Sequence, residues 1–204
     1  MASPLDLREW LPSAADGLFA GLIELAPWEI TATADAIIRR ALATLQNYAI
    51  HDGVAVHRAA TVEPGAVLKA PAIIGPNAFV AAGAYLRGGV FLDENCIIGP
   101  SCEVKSTFML ARSKIAHLSF VGDSIIGAGA NIEAGAVIAN YRNERADKRI
   151  RIRLDGELID TGVEKFGALV GDGARIGAGA VIAPGALILP GAVVKRLSLV
   201  DQSD

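Results

Sequence analysis

From Ile50 onward an aliphatic residue recurs at every sixth position: IHDGVA, VHRAAT, VEPGAV, LKAPAI, IGPNAF, VAAGAY, LRGGVF, LDENCI and IGPSCE follow one another without a break. Ile, Val or Leu holds the first place of each, and Ala, Val or Cys the fifth. After five-residue steps at VKSTF and VGDSI the frame resumes, as MLARSK and IAHLSF and then as IGAGAN, IEAGAV and IANYRN. It returns at VGDGAR, IGAGAV, IAPGAL, ILPGAV and VKRLSL. A period of six matches neither the helical repeat nor strand alternation. It fits an all-β solenoid in which short strands join at glycine-rich corners and three hexads, 18 residues, close one triangular coil. About seven such coils are expected, stacked as parallel strands roughly 4.8 Å apart.

In that arrangement the aliphatic place points inward and the small fifth place suits a crowded interior. Cys96 and Cys102 both occupy fifth places, so they read as buried free thiols; their spacing is not that of a zinc-binding pair. The repeat also explains residues 176–194, an uncharged run of nearly membrane-spanning length whose glycines and prolines recur at a fixed interval. A membrane span is therefore not expected. With 52% hydrophobic and 20% charged residues the chain should fold, and a formal charge of -3 supplies no basic field for nucleic acid. The start, MASPLDLREWLPS, lacks a basic region followed by an apolar core, which makes the cytoplasm the expected compartment.

Residues 1–49 lack the repeat. LDLREWL, the stretch around GLFAGLIEL, and Ala34 to Gln46, with Ile37, Ile38, Ala41, Leu42 and Leu45 at helical spacing, read as helices; Ser13-Ala14-Ala15-Asp16 resembles a capping box. A helical cap over the first coil is the expected role, since a solenoid end exposes strand edges and core. The β-helix is expected over residues 50–199, with 200–204 as a tail. Within it the hexads stop at 142–165, where KRIRIRLDGELIDTG carries strand alternation around Asp155-Gly156 and predicts a hairpin arm projecting from one corner.

Arg87 and Lys105 stand 18 residues apart, hence at equivalent places on consecutive coils, where two stacked cations would make an anion site. His117 follows 12 residues later, between the two shortened steps. On the residues alone it could be a satisfied buried imidazole, a metal ligand or a general base. Three histidines could hold a zinc, but His51 and His57 fall in the first coil, over three coils from His117, and should not converge with it.

The repeat resembles that of left-handed parallel β-helix acyltransferases. CEVKST, HLSFVGDS, NIEAGAVIANY and EKF resemble, more narrowly, the acetyltransferase domain of the bacterial bifunctional enzyme that makes UDP-N-acetylglucosamine and its archaeal sugar-1-phosphate counterparts. The likeness covers roughly residues 80–195 and is strongest from Glu103 to Tyr141; TGVEKFGALVGD and the Pro27-Trp28-Glu29 stretch look closer to archaeal and short standalone relatives. It implies a left-handed helix, a homotrimer with sites between neighbouring protomers, and acetyl-CoA-dependent N-acetylation of an amino sugar phosphate such as glucosamine-1-phosphate, with no metal required.

The same resemblance assigns His117 as general base and Glu103 as the acid that orients or polarises it. Imidazole chemistry suits the task, because an ammonium must lose a proton before it can attack a thioester. Arg87, Lys105, Asn131 and Lys165 match positions that hold the sugar phosphate, and Lys165 could serve the neighbouring protomer's site. Asn140 and Tyr141 match the pair lining the reaction centre. Ala134 and Ala178 match the path of the pantetheine arm, where small residues and free backbone groups are suited; Ala178 stands where the bacterial enzyme usually has serine. Phe120 replaces a substrate-contacting tyrosine. A non-catalytic sugar-phosphate or CoA binder, or a scaffold on the same coils, is the alternative.

Overall fold

The computed structural model describes residues 5–14 and 17–202. Its body is a parallel β-helix, as the repeat predicts, and is of the left-handed type that the resemblance implies. One face is a seven-stranded sheet running in chain order from Thr61–Val62 through Phe79–Val80, Ile97–Ile98, Lys114–Ile115, Asn131–Ile132 and Arg175–Ile176 to Val193–Val194. This is the open face. A second, the site face, sets Tyr85, Glu103, Phe120, Val137, Val181 and Leu199 side by side. The third aligns Ile73, Phe91, Phe108, Ile125, Leu169 and Leu187.

First-place Ile74, Leu86, Ile98, Ile115, Ile132 and Ile176 and fifth-place Ala78, Ala84, Cys96, Cys102, Ala130 and Ala174 form one buried interior. The apolar run 176–194 supplies rungs to all three faces, at Arg175–Ile176, Val181–Ile182, Ala186–Ile188 and Val193–Val194. No helix among the described residues is long and apolar enough to cross a membrane.

The N-terminal segment forms helices α1 (Leu7–Trp10), α2 (Gly17–Ala20), α3 (Pro27–Ala32) and α4 (Ala34–Leu42). They do not sit over the end of the first coil, as expected, but lie along the third face. Leu7, Trp10, Leu11, Phe19, Trp28, Ile30 and Ile38 share a buried cluster with Ile73, Phe91, Phe108, Ile125, Leu169 and Leu187. The reason is area: a column of large outward-facing side chains offers far more apolar surface than one coil end. Phe19 meets Phe108 edge-on at 6.0 Å, and Trp28 meets Phe166 at 6.1 Å.

Asp172 pins the start of the segment: its N–H donates to the Trp10 carbonyl (3.0 Å) and its carboxylate accepts from the Ser13 (2.9 Å) and Ala128 (2.7 Å) N–H groups. The first rung's edge is covered by Tyr48–His51, paired antiparallel with Val54–His57. Of the expected capping box, Ala15 and Asp16 lie outside the described residues.

The hairpin forms between Arg151–Leu154 and Glu157–Asp160, and its two turn residues, Asp155 (φ 50) and Gly156 (φ 85), are both left-handed, as a type I′ turn requires. It does not simply project. Ile150 and Ile152 are fully buried in the flank cluster, while Arg149 and Arg151 face outward onto Asp147. Hydrogen bonds from Arg149 lead the causes that hold the Asp147 carboxyl down at about 2.

Burial pushes the Cys96 thiol up to about 11 from an ordinary 9.0. The folded state disfavours the thiolate, so this contribution to stability is complete below the unfolded thiol's value and is lost as pH rises through the folded one. Urea titrations should show stability falling by roughly 3 kcal/mol between about pH 9 and 11, and Cys96→Ala should lack that component. The native thiols should ignore a thiol reagent at about pH 8.

Candidate active site

Two corners bound the site face, and the polar residues gather at them. At the corner where the chain leaves the site face for the helix-covered face, Arg87 and Lys105 are register partners on adjacent rungs, with Gly122 on the next. The turn itself is made by Gly88 (φ 71), Ser106 (φ 46) and Asp123 (φ 45), all in the left-handed region. The two cations are neighbours, as their spacing predicts. They do not form a bare anion site, however, because each already has a carboxylate.

Arg87 Nε and Nη2 lie 2.8 and 2.6 Å from Glu103 Oε1. Lys105 Nζ donates to Asp123 Oδ1 (2.9 Å) and Oδ2 (2.7 Å), and approaches Ser106 Oγ at 3.3 Å. That second pair is nearly enclosed, with side chains 15% and 6% exposed. A half-buried cation without a partner would forfeit hydration with nothing in return, so pairing is the expected resting arrangement. Glu103, expected to orient the base, is therefore engaged with Arg87 instead.

Asn140 Nδ2 also donates to Asp123 Oδ2. Its side chain lies over Gly122, where a built Cβ would come within 2.8 Å of Asn140 Nδ2 and 2.9 Å of the Phe120 ring. Only a glycine leaves that room. Beyond Tyr141, whose ring carries Lys148 Nζ at 5.5 Å, the buried Arg142 anchors the segment through two bonds to Asp201 (2.6 and 2.7 Å) and one to the Pro184 carbonyl (2.9 Å). Arg87, Lys105, Phe120, Asn140, Tyr141, Glu164 and Lys165 then line one open cleft of about 490 Å³. Lys165 is exposed and makes no ion pair among the described residues. Beyond Lys105 a second cleft reaches Thr31 and Asp35 of the N-terminal helices.

The other corner, where the chain enters the site face, carries His117, Ala134 and Ala178 in one column. The His117 carbonyl accepts the Gly135 N–H (2.8 Å), that of Ala134 the Gly179 N–H (3.0 Å), and that of Ala178 the Leu197 N–H (2.9 Å). The imidazole is exposed and makes no side-chain hydrogen bond among the described residues. A Cβ at Gly99 on the preceding rung would fall 1.3 Å from the Ala116 oxygen and 3.2 Å from His117 Nδ1, so glycine is required for the corner to close as it does.

The Ala178 N–H, expected to be free, is donated to Glu133 (2.8 Å), and hydrogen bonds from Arg196 are the largest cause lowering the Glu133 carboxyl. Asn131 lies on neither corner; it stands on the open face between Lys114 and Arg175. One chain thus brings together Arg87, Lys105, Asn140, Tyr141 and Lys165 at one station and His117, Ala134 and Ala178 at another, with Glu103 between them and Asn131 around the edge. Among the described residues no group of three or more His, Cys, Asp or Glu side chains could hold a metal ion.

Sequence reasoning passed over Asp123 and Arg142, the two charged residues that are buried among the described residues. For Asp123 a signal exists: it sits inside the shortened step VGDSI, where a left-handed corner favours Asp, Asn or Gly.

Comparison with known proteins bears on the same segment. The GMPPB C-terminal domain family matches residues 69–153. A bifunctional sugar-1-phosphate nucleotidylyltransferase/acetyltransferase of Sulfurisphaera tokodaii is 43% identical over 74 residues, 36% of this chain and 18% of that protein. The bifunctional protein GlmU of Methanocaldococcus jannaschii is 38% identical over 79 residues, 39% and 19% of the two chains. The chain therefore spans about a fifth of the length of these curated relatives. Among solved structures, a mutant of AntD, an N-acyltransferase from Bacillus cereus in complex with dTDP and coenzyme A, aligns over 72% of each chain with a TM-score of 0.43 and 16% identity.

Gly122→Ala should drive the Asn140 side chain off Asp123, shifting its amide resonances, and should lower stability in urea by about 1–3 kcal/mol through overpacking.

Proposed function

We propose that this chain, built on the coils of hexapeptide-repeat acyltransferases, transfers an acetyl group from acetyl-CoA to the amine of an amino sugar phosphate, most simply a hexosamine-1-phosphate. The observation that carries the reading is the cleft holding Arg87, Lys105, Asn140, Tyr141 and Lys165 together. Its cations and amide suit a phosphorylated sugar, and its aromatic rings can cover the hexose. The likeness to the sugar-1-phosphate acetyltransferases supports the same substrate class.

In this reaction the exposed His117 imidazole takes a proton from the substrate ammonium, and the freed nitrogen attacks the thioester carbonyl. The C–N bond forms as the C–S bond breaks, and the departing thiolate of CoA takes up the second proton, which the nitrogen sheds as it becomes an amide. The Ala134–Ala178 column beside His117 would guide the pantetheine arm past small side chains. No step requires a metal.

His117 and the phosphate-holding cleft occupy opposite corners of one face, so we propose that a homotrimer joins His117 of one protomer to a cleft of its neighbour. Apolar side chains support this. Leu118, Leu197 and Leu199 are 71%, 85% and 70% exposed, and the first two adopt left-handed φ values of 54 and 57 that large residues rarely hold without a reason. Light scattering should give three copies; a stable monomer would rule out the shared site.

Thiol release from acetyl-CoA with glucosamine-1-phosphate tests the reaction. His117→Ala should lower kcat by about 100- to 10,000-fold, with the fold unchanged by circular dichroism. Binding of both ligands without His117-dependent turnover would leave the chain a non-catalytic binder.

A further inference from the structure

Tyr141 and Arg142 are adjacent in sequence and face different surroundings: the ring lines the cleft, whereas the guanidinium is enclosed, its side chain 4% exposed. Arginine is rarely buried unless paired, because each lost water must be replaced by another acceptor. Here the replacements come from one place. Asp201 meets Nη1 and Nη2 with one carboxylate oxygen each, at 2.6 and 2.7 Å, a forked geometry that fixes orientation as well as position. Nη2 also donates to the Pro184 carbonyl (2.9 Å).

Asp201 is itself held from both sides. Val200 pairs with Ile182 in the site-face ladder, and its carbonyl accepts the Ala183 N–H (2.9 Å). Gln202 lays its carboxamide against Leu187: Oε1 accepts the Leu187 N–H (2.6 Å) and Nε2 donates to the Leu187 carbonyl (3.1 Å). Leu187 belongs to Ala186–Ile188, which among the described residues has a strand neighbour on one side only. The glutamine side chain therefore makes the two bonds that the backbone of a further rung would make. It fixes the segment across the corner.

Tyr141 has no such support of its own. Its hydroxyl makes no hydrogen bond among the described residues, and the Lys148 ammonium over its ring belongs to the same inserted arm. The ring's place is set by its backbone neighbours: Asn140, whose carbonyl accepts the Phe166 N–H (3.2 Å), and Arg142.

We propose that Arg142, Asp201 and Gln202 form a clamp that positions Tyr141 for acyl transfer, so that residues 200–202, expected as a bare tail, serve the reaction centre without lining the cleft. Arg142 is the positioning residue and acts through Tyr141. The effect on turnover rests on the acetyl-transfer reading; the clamp does not.

The test uses the full chain. Arg142→Met/Asp201→Leu exchanges the buried pair for apolar side chains, a change that commonly preserves stability, so urea titration should find the fold intact while the Tyr141 ring resonances shift. With glucosamine-1-phosphate and acetyl-CoA, kcat should fall by about 10- to 100-fold, the cost of a small misplacement at a reaction centre. KM for acetyl-CoA should stay within about threefold. Added to Tyr141→Ala, the same exchange should lower kcat by less than about threefold further, because the group it positions is already gone. Gln202→Ala leaves both charges in place and serves if the double variant is unstable; it should move the Tyr141 resonances and lower kcat in the same sense. A folded double variant that keeps kcat within about threefold of wild type, or Tyr141 resonances that stay in place, overturns the proposal. So does a full further loss in the Tyr141→Ala background. If the wild-type chain shows no turnover, the acetyl-transfer reading fails, and the Tyr141 resonances alone decide whether the clamp exists.

Discussion

The parallel ladder is what everything else in this structure depends on. Each rung bonds to the one a single coil earlier and a single coil later, so residues far apart in sequence become neighbours about 4.8 Å apart. Arg87 stands beside Lys105, and Lys114, Asn131 and Arg175 form a column, for no reason except register. The interior enforces that register. With an aliphatic and a small residue from each hexad packed at near-crystalline density, a slip of one position would put a polar side chain into the core and an aliphatic one into water.

A scaffold this regular leaves its chemistry to the corners. The strands offer short outward columns, whereas the corners tolerate left-handed residues, shortened steps and an inserted arm. Asp123 lies where the six-residue frame loses a residue, and the His117 corner lies between the two shortened steps. The arm enters one rung later, and Asn140, Tyr141 and Lys165 come back over the same edge. Because Lys105 and Asp123 are largely desolvated, that cation does not wait uncompensated. The site at rest is a set of satisfied ion pairs in which one cation, Lys165, stays exposed.

Much of this was legible in advance. The hexads dictate the coil, the inward and outward places and the burial of both cysteines, and the 18-residue spacing dictates the Arg87–Lys105 contact. Asp155-Gly156 marks the hairpin turn. The course of the N-terminal helices was not legible. Their periodicity shows that they have an apolar stripe, but which surface receives it depends on the column of Phe91, Phe108, Ile125 and Leu169, which exists only once the coils are stacked. The hairpin's inward face was obscured for the same reason. Its Ile150 and Ile152 answer to a cluster assembled from three distant parts of the chain.

By itself, then, the sequence determined the coil and the neighbours within it, because a six-residue period is a local instruction repeated until it becomes a fold. The tertiary structure alone decided how the charges pair in the cleft and at its anchors. Desolvation acts on groups assembled from different coils, and it gave Lys105 to Asp123, Arg87 to Glu103 and Arg142 to Asp201. No local pattern encodes those choices, since each follows from how much water the finished surroundings leave around a charge.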